Sequence, residues 1–251
     1  MDVLKIEAEG VTTSFRYPYF MQGIQPTFEM PPPATIYGHI CSALGEWVLP
    51  DGIKFAYHFS YLAKFTDVEH VHIVSPAGGK LPGTAIPKVL GGAINPFKRE
   101  ILFQPRLVLY INKPEWEDAF RSPYYPVVLG RSQDLFCYRR VSVVKLLFSK
   151  SAYFERTLAP YRMVLRTGRG YMVLMPRFLD YNYGRNPSFA RYVIMHKRVY
   201  SPDLLQYEGD PEAVYWVDPE SSEEKGMHLG LLFHSFVGDD DGSFEMAGLV
   251  G

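Results

Sequence analysis

The side chains with the readiest chemistry are seven histidines and two cysteines. His70 and His72 alternate along a strand-like segment and would share one face, as a pair of metal ligands does. No Cys or carboxylate pattern completes that pair, because Asp67 and Glu69 fall on the opposite face. A surface strand is therefore the better reading. Cys41 and Cys137 lack metal-type spacing and read as reduced thiols of a cytoplasmic protein. The sequence holds no HExxH, no Walker-type phosphate loop and no GxSxG. Gly168-Arg169-Gly170 is too short for a nucleotide fingerprint, and Ser132, after Gly130-Arg131, has no evident base partner. The residue types do allow metal-free RNA cleavage, which needs only a general acid and a general base; His39, Tyr37 and several lysines supply them. Such residues occur in any chain of this size, so cleavage stands here as the alternative reading.

Binding without reaction leaves a different trace. A single strand is held by Arg and Lys on its phosphates and by aromatic rings under its bases. Three segments have this form: Arg16-Tyr17 with Tyr19 and Phe20; Arg166 to Tyr171; and Tyr181 to Tyr200 with Arg185, Arg191, Lys197 and Arg198. The 18 Tyr and 17 Phe suit strands as well as bases. The net charge of −1 conceals a division. From Arg139 to Arg198 there are 13 Lys or Arg against two acids, Glu155 and Asp180. From Pro202 to Gly251 there are 12 acids against one base, Lys225. The basic stretch is either a polyanion footprint or a surface that the acidic segment folds over and neutralises; composition leaves both open.

These residues need elements to position them. Alternation over 3–9 predicts a strand. Pro31-Pro32-Pro33 followed by Ile36, Ile40, Leu44 and Val48 predicts a helix over about 33–48, because proline suits a first turn and those four positions form one stripe. Gly38 and Gly45 are costly inside it and predict close packing or close approach of a ligand. Residues 54–74 read as one or two strands, and 101–103 and 107–111 as strands. Pro114 to Phe120 reads as a short helix, and 127–147 as two more strands broken at Gly130-Arg131-Ser132. Residues 75–96, rich in Gly, Pro and Lys, read as a projecting or functional loop. The order is that of a split β-α-β-β-α-β unit, an α+β fold of ferredoxin-like or RNA-recognition-like type. The expected division is residues 1–148 as that domain, with an insertion at about 76–100, and 149–251 as a smaller β-rich region ending in a solvated acidic tail. The chain starts without a basic and apolar leader, and no apolar run approaches a membrane span.

One block of residues resembles a known family. Phe15-Arg16-Tyr17-Pro18, Gln25-Pro26-Thr27, Met30 to Gly38 and Ala43-Leu44-Gly45-Glu46 are similar to the N-terminal signature of the fifth Cas family, the guide-handle subunit of type I Cascade complexes. Arg106 to Tyr110 and Leu129 to Leu135 match its type I-B branch. The match covers roughly residues 3–147. The resemblance implies a non-catalytic subunit that holds the 5′ handle of a guide RNA, with a β-hairpin thumb at 76–100. It implies as partners the guide RNA, the adjacent backbone subunit, the large subunit and, through the complex, target DNA, with no cofactor and no metal. Arg16, Tyr17, Thr27, Tyr37, Arg131 and Ser132 would line the handle surface, and Lys88, Lys98 and Arg99 would sit on or beside the thumb. Thr35 would cap the helix or bond a phosphate. In the type I-C branch the corresponding subunit cuts repeat RNA, but its helix starts with a different run from Pro-Pro-Ala-Thr-Ile-Tyr-Gly, so cleavage is not expected of this chain.

Overall fold

The computed structural model describes residues 1–20, 23–88, 90–161, 168–203 and 214–238. The chain opens with β1 (Asp2–Gly10) and four two-residue strands, β2 (Thr12–Thr13), β3 (Phe15–Arg16), β4 (Ile24–Gln25) and β5 (Thr27–Phe28). Helix α1 (Pro33–Leu44) begins at the proline run, whose fixed φ suits a first turn. It stops at Gly45, where φ is 80° and the N–H donates to the Cys41 carbonyl at 2.9 Å. The helix is thus four residues shorter than the apolar stripe suggested, and Val48 lies beyond it. Gly45 is required twice over, by its left-handed φ and because a Cβ there would meet the Tyr124 ring at 2.5 Å. Gly38 is different: a Cβ there meets nothing, so the close packing expected of it is absent.

Next come β6 (Lys54–Ser60), β7 (Ala63–Pro76), β8 (Leu90–Phe103) and β9 (Arg106–Ile111). A 3-10 turn over Pro114–Trp116 leads into the short helix α2 (Glu117–Arg121) and then β10 (Phe136–Lys145). The expected second strand near 128 is reduced to a single bridge between Val128 and Leu135. The remaining strands are β11 (Leu147–Ser149), β12 (Ala152–Phe154), β13 (Thr157–Pro160), β14 (Tyr171–Asp180), β15 (Asn186–Met195), β16 (Val199–Tyr200), β17 (Tyr215–Asp218), β18 (His228–Leu231) and β19 (His234–Ser235).

The main sheet runs β10-β1-β9-β6-β13-β15-β14, with β19 also on β6. Strands from both sides of residue 148 therefore share it. Side chains alternate across β1, so its two faces serve two cores. Leu4, Ile6 and Ala8 pack with Ile36 and Ile40 of α1 and Phe120 of α2. Val3 lies on the other face with Ala56, Tyr110 and Val144, covered by Tyr153, Leu229 and Leu231. Those covering residues belong to a second sheet, β11-β17-β18-β12-β16. A buried polar contact fixes this second sheet: Lys5 Nζ lies 2.6 Å from Asp218 Oδ2, and the Tyr110 hydroxyl donates to the same oxygen at 2.7 Å.

β7 and β8 pair antiparallel along their whole length, from Ala63 opposite Phe103 to Pro76 opposite Leu90. The paired arms extend about 45 Å, so the insertion starts earlier and is more regular than the segment 76–100 suggested. Its root is braced by β2 and β4, which pair with β8. Among the described residues no helix is long and apolar enough to cross a membrane.

Candidate nucleic-acid interface

The root of the hairpin is where the N-terminal strands, β8 and the loop after Leu129 meet. Ile24 and Gln25 run beside Lys98 and Arg99. The Ser14 hydroxyl donates to the Glu100 carbonyl at 2.9 Å, and the Thr27 N–H donates to the Glu100 carboxylate at 3.1 Å. Thr13 donates its hydroxyl proton to the Leu129 carbonyl. Gly130 follows with φ 106°, and a Cβ there would sit 2.4 Å from Thr13 Oγ1. Glycine at 130 lets the loop close on β2 and aims Arg131 at the hairpin.

Arg131 is held from both sides. Its Nε and Nη2 donate to the two oxygens of Asp134 at 2.9 and 2.7 Å, the forked pairing that guanidinium favours. Its backbone N–H donates to Asp134 at 2.9 Å, and the Thr12 hydroxyl donates to the same carboxylate at 3.2 Å. Its Nη1 donates to Glu69 on β7. The Asp134 hydrogen bond leads the influences that raise the guanidinium pKa further. Arg99 reaches the same glutamate from β8, its Nε 2.6 Å from Glu69 Oε2, and its guanidinium lies 5.0 Å from the Phe97 ring centre. Arg131, expected to line the handle surface, and Arg99, expected on or beside the thumb, are paired with carboxylates and largely buried, with side chains 15% and 10% exposed.

The other expected residues divide. Arg16 is exposed, opposite Thr27 on the short β3–β5 ladder. Tyr17 is half-buried and stacked on Phe28, with ring centres 3.7 Å apart. Lys98 and Ser132 are exposed. Lys88 sits at the hairpin tip, its N–H donating to the Gly79 carbonyl at 2.7 Å. Roughly 30 Å of strand separates it from Arg99, so the two cannot hold one phosphate. Thr27 and Tyr37 are corrected to interior roles. Thr27 Oγ1 accepts from the Phe15 N–H at 2.8 Å and donates to the Phe28 carbonyl at 2.9 Å. The Tyr37 hydroxyl donates to the Val48 carbonyl, and its ring contacts Trp47, Phe178 and Phe236. Burial pushes that hydroxyl far up in pKa. Thr35 is half-buried, and no side chain caps the helix start; the residue before the first turn is Pro32. His39, the other candidate acid or base, lies between the Val128 carbonyl at 2.9 Å and the Tyr138 hydroxyl at 3.0 Å. Burial lowers its pKa. Of the segment Arg166 to Tyr171, Arg166 and Thr167 lie outside the described residues.

Two groupings escaped the sequence. One is Glu69, whose role needs the register that sets it between two arginines. The other joins three distant segments: Glu29 lies 2.8 Å from Lys64 Nζ and 2.8 Å from His196 Nε2, and it accepts from the Tyr171 hydroxyl at 3.2 Å. Burial opposes the ionised form of Glu29, but the contacts with Lys64, His196 and Tyr61 together outweigh it and hold the carboxyl below its usual range. The signal that was available is Arg131 and Asp134 at i and i+3 around a Gly-Arg turn. His70 and His72 do lie side by side, with ring centres 6.5 Å apart. Among the described residues no three His, Cys, Asp or Glu side chains gather as a metal site.

No protein-family model matches the chain, and no curated protein sequence matches it. Among solved structures, a chain titled "CRISPR RNA-guided surveillance complex" is 16% identical, with 82% of this chain and 98% of that one covered at a TM-score of 0.49. A CRISPR protein from Archaeoglobus fulgidus is 12% identical over 92% and 100%, at 0.46. A chain of the type III-B Cmr-beta complex bound to cognate target RNA is 10% identical over 83% and 89%, at 0.43. Likeness at this level describes a general outline and by itself assigns no function.

Proposed function

We propose that the chain is a non-catalytic guide-RNA-binding subunit of a type I, I-B-like, CRISPR Cascade complex. In this reading it holds the 5′ handle and contacts the backbone and large subunits. The observation that carries the reading is the long hairpin of β7 and β8, set between the second and third strands of a unit ordered β10-β1-β9-β6. That order, with α1 and α2 as the two crossovers, supports the reading of a split β-α-β-β-α-β fold. The hairpin exposes Val68, Val71, Ile73, Val74 and Ile94 on its two faces. A two-stranded ribbon is marginal alone in water, so a partner that covers it fits the physics. Arg16 is exposed next to the half-buried Tyr17 in the chain, and Lys98 is exposed on β8 opposite Ile24, a supply of cation and ring that suits a single strand. The interior positions of His39 and Tyr37 favour binding over cleavage.

The test is a gel and binding assay of the purified chain with its neighbouring subunits on radiolabelled repeat-spacer RNA in EDTA. Retention or protection of the 5′ handle without a new product supports the reading. Arg16→Ala should weaken binding and make its salt dependence shallower by about 0.7 in log–log slope. A discrete cut within the repeat would replace the reading with a metal-independent endoribonuclease.

A further inference from the structure

Glu69 occupies a place in which its charge and shape invite replacement. Its two carboxylate oxygens accept from two different arginines, Oε2 from Arg99 Nε and Oε1 from Arg131 Nη1. A phosphodiester offers two non-bridging oxygens and one negative charge, the same pair of acceptors. We propose that Arg99 and Arg131 form the seat for one backbone phosphate of a bound single-stranded RNA, and that Glu69 fills this seat in the free chain and is displaced on binding. The inference rests on the RNA-binding reading above.

Three observations support exchange at Glu69 and nowhere else in the cluster. First, charge: the carboxylates in direct contact with Arg99 and Arg131 are Glu69, which touches both, and Asp134, which touches Arg131. Departure of Glu69 leaves Arg99 without a contacting carboxylate and Arg131 with one, and a phosphodiester replaces the anion that left. Second, mobility: the Asp134 side chain has no exposure and takes hydrogen bonds from Thr12 and from both the backbone and the guanidinium of Arg131. The Glu69 side chain is the most exposed of the four, at 23%, and turning it outward needs no change in the β7–β8 ladder. Third, a ring stands beside the seat: Phe97 faces Glu69 across the ladder and lies under Arg99. It is half-buried, with a surface on which the adjoining base can stack.

The experiment measures fluorescence anisotropy of a labelled single-stranded repeat RNA on the full chain and on Glu69→Gln, with a series of probes carrying one neutral methylphosphonate linkage each. Removing the competing carboxylate should tighten binding about tenfold, the worth of a charge-assisted hydrogen bond no longer broken on binding. One methylphosphonate position should erase that gain. The gain should also vanish in the double variants with Arg99→Gln and with Arg131→Gln. If Glu69→Gln unfolds at lower urea than the parent, Glu69→Asp, which withdraws the carboxylate by one methylene, serves in its place with the same expectation. RNA bound with unchanged or weaker affinity by the folded variant overturns the seat and leaves the RNA-binding reading intact. A gain that persists without the arginines also overturns it, since general charge then explains it. Parent and variant both failing to bind RNA overturns the reading and the seat together.

Discussion

Lys5→Met tests whether the C-terminal strands are locked to the first sheet by a buried charge pair. Lys5 Nζ and Asp218 Oδ2 are 2.6 Å apart, with side chains 7% and 0% exposed. After the substitution Asp218 keeps the Tyr110 hydroxyl at 2.7 Å and the Glu220 N–H at 2.8 Å, but among the described residues no cation at contact distance. Removing one partner of a buried pair costs about 3–5 kcal/mol because the other charge stays behind in a poor solvent. The two remaining donors place the expected loss at the lower end, about 3 kcal/mol. In a chain of 251 residues each kcal/mol moves the melting temperature by roughly 2–4 °C, so a fall of about 6–12 °C is expected. Urea unfolding followed by tryptophan fluorescence reads it, since Trp216 lies two residues from Asp218 on β17. The double variant Lys5→Met with Asp218→Asn removes the stranded charge and keeps an acceptor for Tyr110; it should recover to within about 1 kcal/mol of the parent. A single variant that loses less than about 1 kcal/mol, or a double variant no better than the single, refutes the reasoning.

Other perturbations test other parts of the fold. Burial pushes His58 and His234 each down to about 4 from 6.5, so the unfolded chain binds protons in this range that the folded chain refuses. Stability should therefore fall as pH drops from about 6.5 toward 4, by about 2 kcal/mol at pH 5 for each of these two histidines; urea midpoints at pH 7.5 and 5.0 check it, and His234→Gln should make the slope shallower while His58 and the buried His39 keep the rest. Gly45→Ala should cost about 2 kcal/mol or more from its left-handed φ and the Tyr124 ring. Gly38→Ala, with open space in a helix interior, should stabilise by about 0.5–1 kcal/mol. Thermal unfolding of the two variants should move in opposite directions.

What could be read from the sequence followed from local periodicity. The α1 start was legible because proline at the first turn and an i, i+4 stripe are features of one short segment. Its end was not, since Val48 extends the stripe while Gly45 stops the helix through a backbone angle and the position of Tyr124, 79 residues away. The hairpin was half legible. The Gly- and Pro-rich tip announced itself, but β7 has apolar residues on both faces (Phe65, Val71 and Ile73 against Val68 and Val74), so no alternation marked a buried side. The site residues fared worst, because type and exposure are separate properties. Tyr37 and Arg16 look equally suited to RNA in sequence; packing against Phe178 and Phe236 puts one inside, and a two-residue strand leaves the other at the surface. Arg131 and Arg99 have the right chemistry, but only the β7–β8 register brings Glu69 between them.

The division of charge along the sequence has a structural counterpart that favours neither of its two simple readings alone. Acids of the C-terminal region do meet basic residues: Glu220 lies 3.1 Å from Arg140, and Glu224 lies 2.9 Å from Arg198, which Glu155 also binds. These pairs sit along the seam where the second sheet covers the first, where they brace the packing fixed by Lys5 and Asp218. Arg177 is used internally too, donating to the Ser235, Val237 and Gly238 carbonyls. On β15 and the turn before it the cations meet rings instead, Arg185 at 5.5 Å from Tyr181 and Arg191 at 5.9 Å from Tyr161. A cation over a ring keeps its full charge, whereas one on a carboxylate does not. The basic stretch therefore has a neutralised part that holds the fold and a part that still presents positive charge. The acidic run from 239 to 251 lies outside the described residues; the seam pairs named here use Glu220 and Glu224, which lie in the connection between β17 and β18. Net charge summed over a segment cannot separate these uses. The partner of each arginine can, and by that measure Arg140, Arg177 and Arg198 serve the architecture while Arg185 and Arg191 keep a field to which a polyanion would respond.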